Sequence, residues 1–229
     1  LWGMAGALGV ILGAGLIYLR QDLGRSEKKV TVTQLFSKSR EINVLSLSRF
    51  FLFGSRDIWF VVALPVFLKE SLGWSFGGVG AFMAAWVIGY GIVQAVAPGL
   101  VRESGSARGA CAILRWGALL ALVSTLIATG VAADFYVVVL VLAGLVVFGV
   151  VFAVNSALHS YLILEYTDAD RVALNVGFYY MANAGGRLVG TLLSGLLYLA
   201  GGLGGCLWAS SGFVMVAVGL TALLPRREN

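Results

Sequence analysis

The chain has 229 residues, of which 59% are hydrophobic and only 12% charged, and a formal net charge of +5. Its mean hydropathy is +0.93. Soluble domains carry roughly 25% charged residues, so a water-soluble fold is excluded: lipid must cover the surplus apolar surface. The positive charge is not a nucleic-acid signal, because what matters in such a chain is which side of the membrane the basic residues occupy.

A transmembrane helix needs roughly 20 mostly apolar residues. Seven windows qualify, at about 1–19, 44–68, 75–100, 110–133, 136–160, 172–198 and 203–224. The first opens at Leu1 and lacks the charged region and cleavage site of a signal peptide, so the N-terminal part of a longer protein is expected to be missing. A charged linker, 20–43, follows with Arg20, Arg25, Lys28, Lys29, Lys38 and Arg40. The second window contains "SRFFLFGSRDIWF", Ser48–Phe60, and ends at "KESLGWS". The third runs into "VRESGSAR", and the fourth and fifth are parted by Asp134 alone. "LEYTDADR" precedes the sixth, and the glycines of "LAGGLGGC" separate the sixth from the seventh. Period-2 alternation is absent, so a barrel is not expected. Gly186, Gly190 and Ser194 recur at four-residue spacing, which lets helices approach closely in lipid.

Basic residues set the orientation. The linker, Arg102, Arg108, Arg115, Arg171, Arg226 and Arg227 all fall on one side, against Lys69 alone on the other. By the positive-inside rule the basic side is cytoplasmic. The first span then runs outside to inside and the C-terminus is cytoplasmic.

The charges inside the spans point to function. A charge at the bilayer centre costs about 2.5–3.5 kcal/mol on insertion scales, so it faces a cavity or a partner. Arg56 and Asp57 fall near the middle of the second span and Arg187 near the middle of the sixth. Arg49 lies nearer the cytoplasmic end, where snorkelling or a gate is the simpler reading. Residues seven apart lie within about 20° around a helix, so Arg49 and Arg56 share a stripe. Asp57 is rotated by about 100° from Arg56 and is not expected to pair with it. Asn175, Tyr179, Asn183 and Arg187 form a stripe on the sixth span, and Asn155 and His159 one on the fifth. Facing one another, the three would line a wet cavity rich in donors.

Arginine keeps its charge and forks onto carboxylate, phosphate or arsenate oxygens. Arg56, Arg187, Asn183, Tyr179, Asn155 and Arg49 are therefore candidates for binding a small polyanion. An ion pair with Asp57 is the structural alternative for either Arg56 or Arg187. Asp57 and His159 are proton-coupling candidates. Against those roles stand an Asp57 that holds an arginine in place and a His159 that is solvated or capping. Tyr180 either bonds substrate or packs, and Trp59, Trp74 and Trp116 read as packing or interface anchors.

One helix, a cytoplasmic linker and six closely connected helices resemble the major facilitator superfamily. Its twelve-helix carriers have two six-helix halves, with substrate bound between them near the midplane. In that frame the chain is an all-α membrane protein holding helices six to twelve, with the N-terminal half missing. Residues 1–19 are the last helix of the first half, 20–43 the central linker and 44–229 the C-terminal half. "GLVRESGSAR" echoes the family's inter-helix motif at Gly99, Glu103 and Arg108, with Ser104 where a basic residue normally follows the acid. "INVLSLSRFFLFGSRDIWFVVALPVFL", 42–68, and "NVGFYYMANAGGRLVGTLLSGLLY", 175–198, resemble segments seven and eleven of the organoarsenical efflux carriers, ArsJ. That resemblance implies export of 1-arseno-3-phosphoglycerate from the bacterial inner membrane, arsenate resistance and proton antiport. It also implies functional coupling to glyceraldehyde-3-phosphate dehydrogenase, which makes the ester when arsenate replaces phosphate. No cofactor and a monomer are expected.

A carrier of trivalent arsenic would offer thiolates. Cys111 and Cys206 lie in different segments near opposite faces and suggest neither a disulfide nor a metal site. No G-x-x-x-x-G-K-[ST] loop appears, and no metal cluster or supported serine–base pair, so an enzyme is not expected. The rival readings are a facilitator carrier for another small anion, such as a sugar phosphate, or a drug efflux carrier.

Overall fold

The computed structural model describes residues 2–18, 39–101, 106–167 and 171–224. The basic residues at 20–38, Arg102, Glu103, Ser104, Arg226 and Arg227 lie outside the described residues. The chain divides into two compact units, Leu1–Leu35 and Phe36–Asn229. In the first, α1 (Trp2–Tyr18) is a 17-residue apolar helix, at the lower limit for a span.

The second unit contains α2 (Arg40–Phe60), α3 (Ala63–Glu70), α4 (Phe76–Val101), α5 (Ser106–Ala132), α6 (Val137–Glu165) and α7 (Val172–Thr221). Helix α2 starts at Arg40, inside the stretch read as linker, because Ser39 caps it. The Ser39 hydroxyl accepts from the Ile42 N–H at 3.5 Å, and Glu41 favours the positive end of the helix dipole.

Two breaks shape the unit. Helix α7 runs for 50 residues, but Gly201 and Gly202 leave helical geometry, with Gly202 at φ 60 and ψ −157. Only glycine takes that conformation without strain. The glycine stretch thus divides α7 into limbs 172–200 and 203–221, as its sequence predicts. The second break is not foreseen in the sequence: the window at 44–68 is interrupted at Val61–Val62, between α2 and α3. Pro65 has no N–H to give the Val61 carbonyl, and its ring crowds that carbonyl. Ser194 on α7 meets the freed donors, its hydroxyl accepting from the N–H groups of Val62 at 3.3 Å and Ala63 at 3.2 Å.

Helix α2 is held between the limbs of α7. A Cβ on Gly186 would come within 2.1 Å of the Phe50 carbonyl oxygen, and one on Gly190 within 2.6 Å of that of Gly54. Backbone thus packs on backbone along the small-residue stripe, as its spacing predicts. Ser48 donates to the Ala217 carbonyl at 2.9 Å, tying α2 to the second limb. Aromatic pairs join α2 to α6, Phe53 with Phe152 and Trp59 with Phe148. Trp59 is therefore a packing residue. Large apolar side chains such as Ile88, Val147, Leu188 and Leu192 face outward, a surface suited to lipid rather than water. Five of the described helices are long and apolar enough to cross a membrane, the α2–α3 pair counted as one. The fifth, α7, contains two such lengths on either side of its glycines.

Candidate functional site

The close approach of α2 and α7 brings their polar residues together in two clusters. In the first, Asp57, 1% exposed, serves two arginines. Arg56 reaches its Oδ1 through Nε and Nη2, both at 2.7 Å. Arg187 donates from Nε to Oδ2 at 3.0 Å. The pairing of Arg56 with Asp57 corrects the expectation from helical angles. Those angles separate Cα–Cβ directions, whereas the long arginine side chain folds back to the adjacent carboxylate, the nearest counter-charge in an apolar surrounding. The two arginines differ in access. Arg187 has 55% of its side chain exposed, Arg56 only 12%. Two cations and one anion leave a surplus positive charge on this face.

The second cluster is built round Arg49. Snorkelling does not occur, because Arg49 is only 3% exposed. Its Nη1 donates to the Ser156 carbonyl at 3.0 Å and hydroxyl at 2.9 Å, and its Nε to Asn183 Oδ1 at 3.1 Å. Its guanidinium lies 4.0 Å from the Phe53 ring centre and 5.0 Å from that of Tyr179. Among the described residues no carboxylate pairs with it. Arg56 lies 5.1 Å from the same Phe53 ring, so the stripe shared by Arg49 and Arg56 is present, with Phe53 between them.

Three contributors escape the sequence reading. Gln94 of α4 donates to the Ser156 hydroxyl at 3.2 Å, and Ser156 receives Arg49. Tyr90, one turn before Gln94, lies 6.0 Å from the Arg56 guanidinium. The lone glutamine in the otherwise apolar α4 is the signal that could have found this helix. Ser156 offered none, since serine is common in membrane helices.

Asn155 and His159 do not join the arginines. They line a small cavity with Ile113, Gly117, Val218 and Thr221. On α6 it is Ser156, a step of 100° round the helix, that faces Arg49. His159 is 2% exposed, which also removes the solvated or capping reading. Of the remaining stripe residues, Asn175 and Tyr179 are buried; Tyr180, outside the stripe, is exposed with its ring edge-on to Tyr179.

Comparison with known proteins bears on the family and the fold. Residues 45–229 match the family model described as Major Facilitator Superfamily. A crystal structure of a bacterial homologue of the iron transporter ferroportin, in an outward-facing state, is similar over 95% of the chain, with a TM-score of 0.71 and 16% identity. The chain spans 53% of that structure's chain, about half its length. At that identity the likeness is one of fold. No curated protein matches the sequence.

Proposed function

We propose, for a chain that belongs to the major facilitator superfamily, that the complete protein is a secondary carrier exporting a small organic anion, 1-arseno-3-phosphoglycerate, by alternating access. The observation that carries the anion reading is the single carboxylate of Asp57 divided between Arg56 and the half-exposed Arg187. An entering oxyanion takes the place of Asp57 at Arg187, where a fork of donors suits arsenate or phosphate oxygens. Phe53 and Phe152 beside Arg56 favour an anion with an organic body. A cationic drug would need the opposite charge on this face. At 16% identity the ferroportin likeness is one of fold and lends no substrate here.

The identity of the anion rests on the resemblance of 42–68 and 175–198 to organoarsenical carriers. Glyceraldehyde-3-phosphate dehydrogenase then supplies the ester on the cytoplasmic side of the inner membrane. Antiport against protons belongs to this reading, with Asp57, released from Arg187 by substrate, as the coupling group.

The test is growth of arsenate-sensitive bacteria that carry the complete gene and the dehydrogenase. Protection against arsenate but not arsenite, dependent on the dehydrogenase and lost in Arg187→Gln at matched membrane levels, is the expected result. No arsenate protection from well-expressed wild type would overturn the arsenical substrate and favour another anion, such as a sugar phosphate. Protection that survives Arg187→Gln would move the site.

A further inference from the structure

The cavity beside Asn155 and His159 plays no part in that transport reading. It lies between α2, α5, α6 and the second limb of α7, and its walls are otherwise largely apolar, with Leu52, Ile113 and Val214 among them. Two polar side chains one turn apart on α6 face it, each 2% exposed. Among the described residues neither Asn155 Oδ1 nor His159 Nδ1 has a hydrogen-bond partner. Buried polar atoms are nearly always paired, and one left orphaned loses its hydration with no return. Two orphans on one cavity suggest a shared partner.

The size of the cavity identifies that partner. About 10 Å³ is open to the centre of a water, which is room for roughly one molecule. No carboxylate, lysine or arginine lines it, so neither a cation nor an anion would find a counter-charge. We propose that the cavity holds one structural water that bridges Asn155 Oδ1 and His159 Nδ1. The amide oxygen only accepts, and a neutral imidazole carrying its proton on Nε2 offers Nδ1 as a second acceptor. The two O–H groups of one water satisfy both. Thr221, on the same wall, bonds the Ala217 carbonyl at 2.8 Å and the Ser48 hydroxyl at 2.9 Å. The water ties Asn155 to His159 across one turn of α6 and occupies the free nitrogen of the imidazole.

His159 is the single histidine of these 229 residues, and in the complete protein its ¹⁵N-histidine signal is assigned by its loss in His159→Leu. In lipid bilayers, solid-state NMR of the complete protein is expected to show magnetisation passing from water protons to His159 Nδ1, with no proton covalently on that nitrogen. The transfer should vanish in Asn155→Leu. Absence of transfer in wild type, or transfer unchanged in Asn155→Leu, overturns the assignment. A double-mutant cycle gives an independent reading. Asn155→Leu and His159→Leu should each lower the melting temperature by roughly 2–4 °C or more. The double variant should lose less than the sum, because a dry apolar pair leaves no orphan. Strictly additive losses would contradict a shared water, and should a single variant fail to assemble, the wild-type spectrum decides.

Discussion

Asp57 gives each of its oxygens to a different arginine, and the consequences of removing it differ from those of removing either partner. In Asp57→Asn, the largely buried Arg56 is left with no counter-charge, and because deleting one member of a fully buried pair costs about 3–5 kcal/mol, a loss below that range is expected for this partly exposed one. Lower membrane levels and a lower melting temperature are expected. Adding Arg56→Gln removes the stranded cation and should recover much of the loss; equal instability of single and double variants would show that Asp57 serves something other than this pair. Arg187 is another case. In Arg187→Gln, Asp57 keeps Arg56, so the fold should persist. What is lost is a charge-assisted bond to substrate, worth about 1.5–3 kcal/mol, or about 10- to 100-fold in apparent affinity. Competition binding to membrane vesicles measures this, with Arg187→Lys recovering only part because it keeps the charge but not the fork. Unchanged affinity in Arg187→Gln would remove Arg187 from the site. That charged residues sit within apolar spans was legible in the sequence, since they stand out there. Their pairing was not, because helical angles fix where a side chain starts and not where the rotatable bonds of a long arginine side chain let it end.

At the scale of elements, the site depends on how closely α2 approaches α7. Gly186 precedes Arg187, and its missing side chain lets the Phe50 carbonyl sit where a Cβ would be. Gly186→Ala must push the helices apart and carry Arg187 away from Asp57. Overpacking of this kind costs about 1–3 kcal/mol, and anion affinity should fall with it. Gly195→Ala is the control, since nothing lies within 4 Å of its Cβ; there the better helix propensity of alanine should leave stability equal or raised by up to about 1 kcal/mol. Melting temperatures in detergent compare the two, and equal effects would mean that the Gly186 contact does not set the spacing. The four-residue repeat announced this contact. The break in α2 went unseen because Pro65 sits inside an unbroken apolar run. The group that satisfies the N–H donors of Val62 and Ala63, Ser194, is 132 and 131 residues away from them, and no local pattern reports such a partner. The same reason hid Asn155 and His159: their polar spacing was visible, but which neighbour they faced depended on the rotation of α6 against α5 and α7.

At the scale of the molecule, the succession of spans and the glycine hinge of α7 followed from length, hydropathy and punctuation. Orientation is the remaining property, and it follows from charge. Arg40, Arg115 and Arg171 lie towards the starts of α2, α5 and α7, and Lys69 lies at the opposite end, in the last turn of α3. Helices that alternate in direction put the three arginines at one face and Lys69 at the other. Lys/Arg-rich ends stay cytoplasmic, so the α3–α4 turn and the Asp134 turn should be outside and the end of α7 inside. Reporter fusions decide this. Green fluorescent protein joined after the last residue should fluoresce, and alkaline phosphatase there should be inactive, whereas phosphatase placed in the turn at 71–75 should be active. The reverse pattern would turn the molecule over. Arg187 would keep its depth near the middle of its span, so the anion site proposed above would stand while the orientation argued from charge would fall.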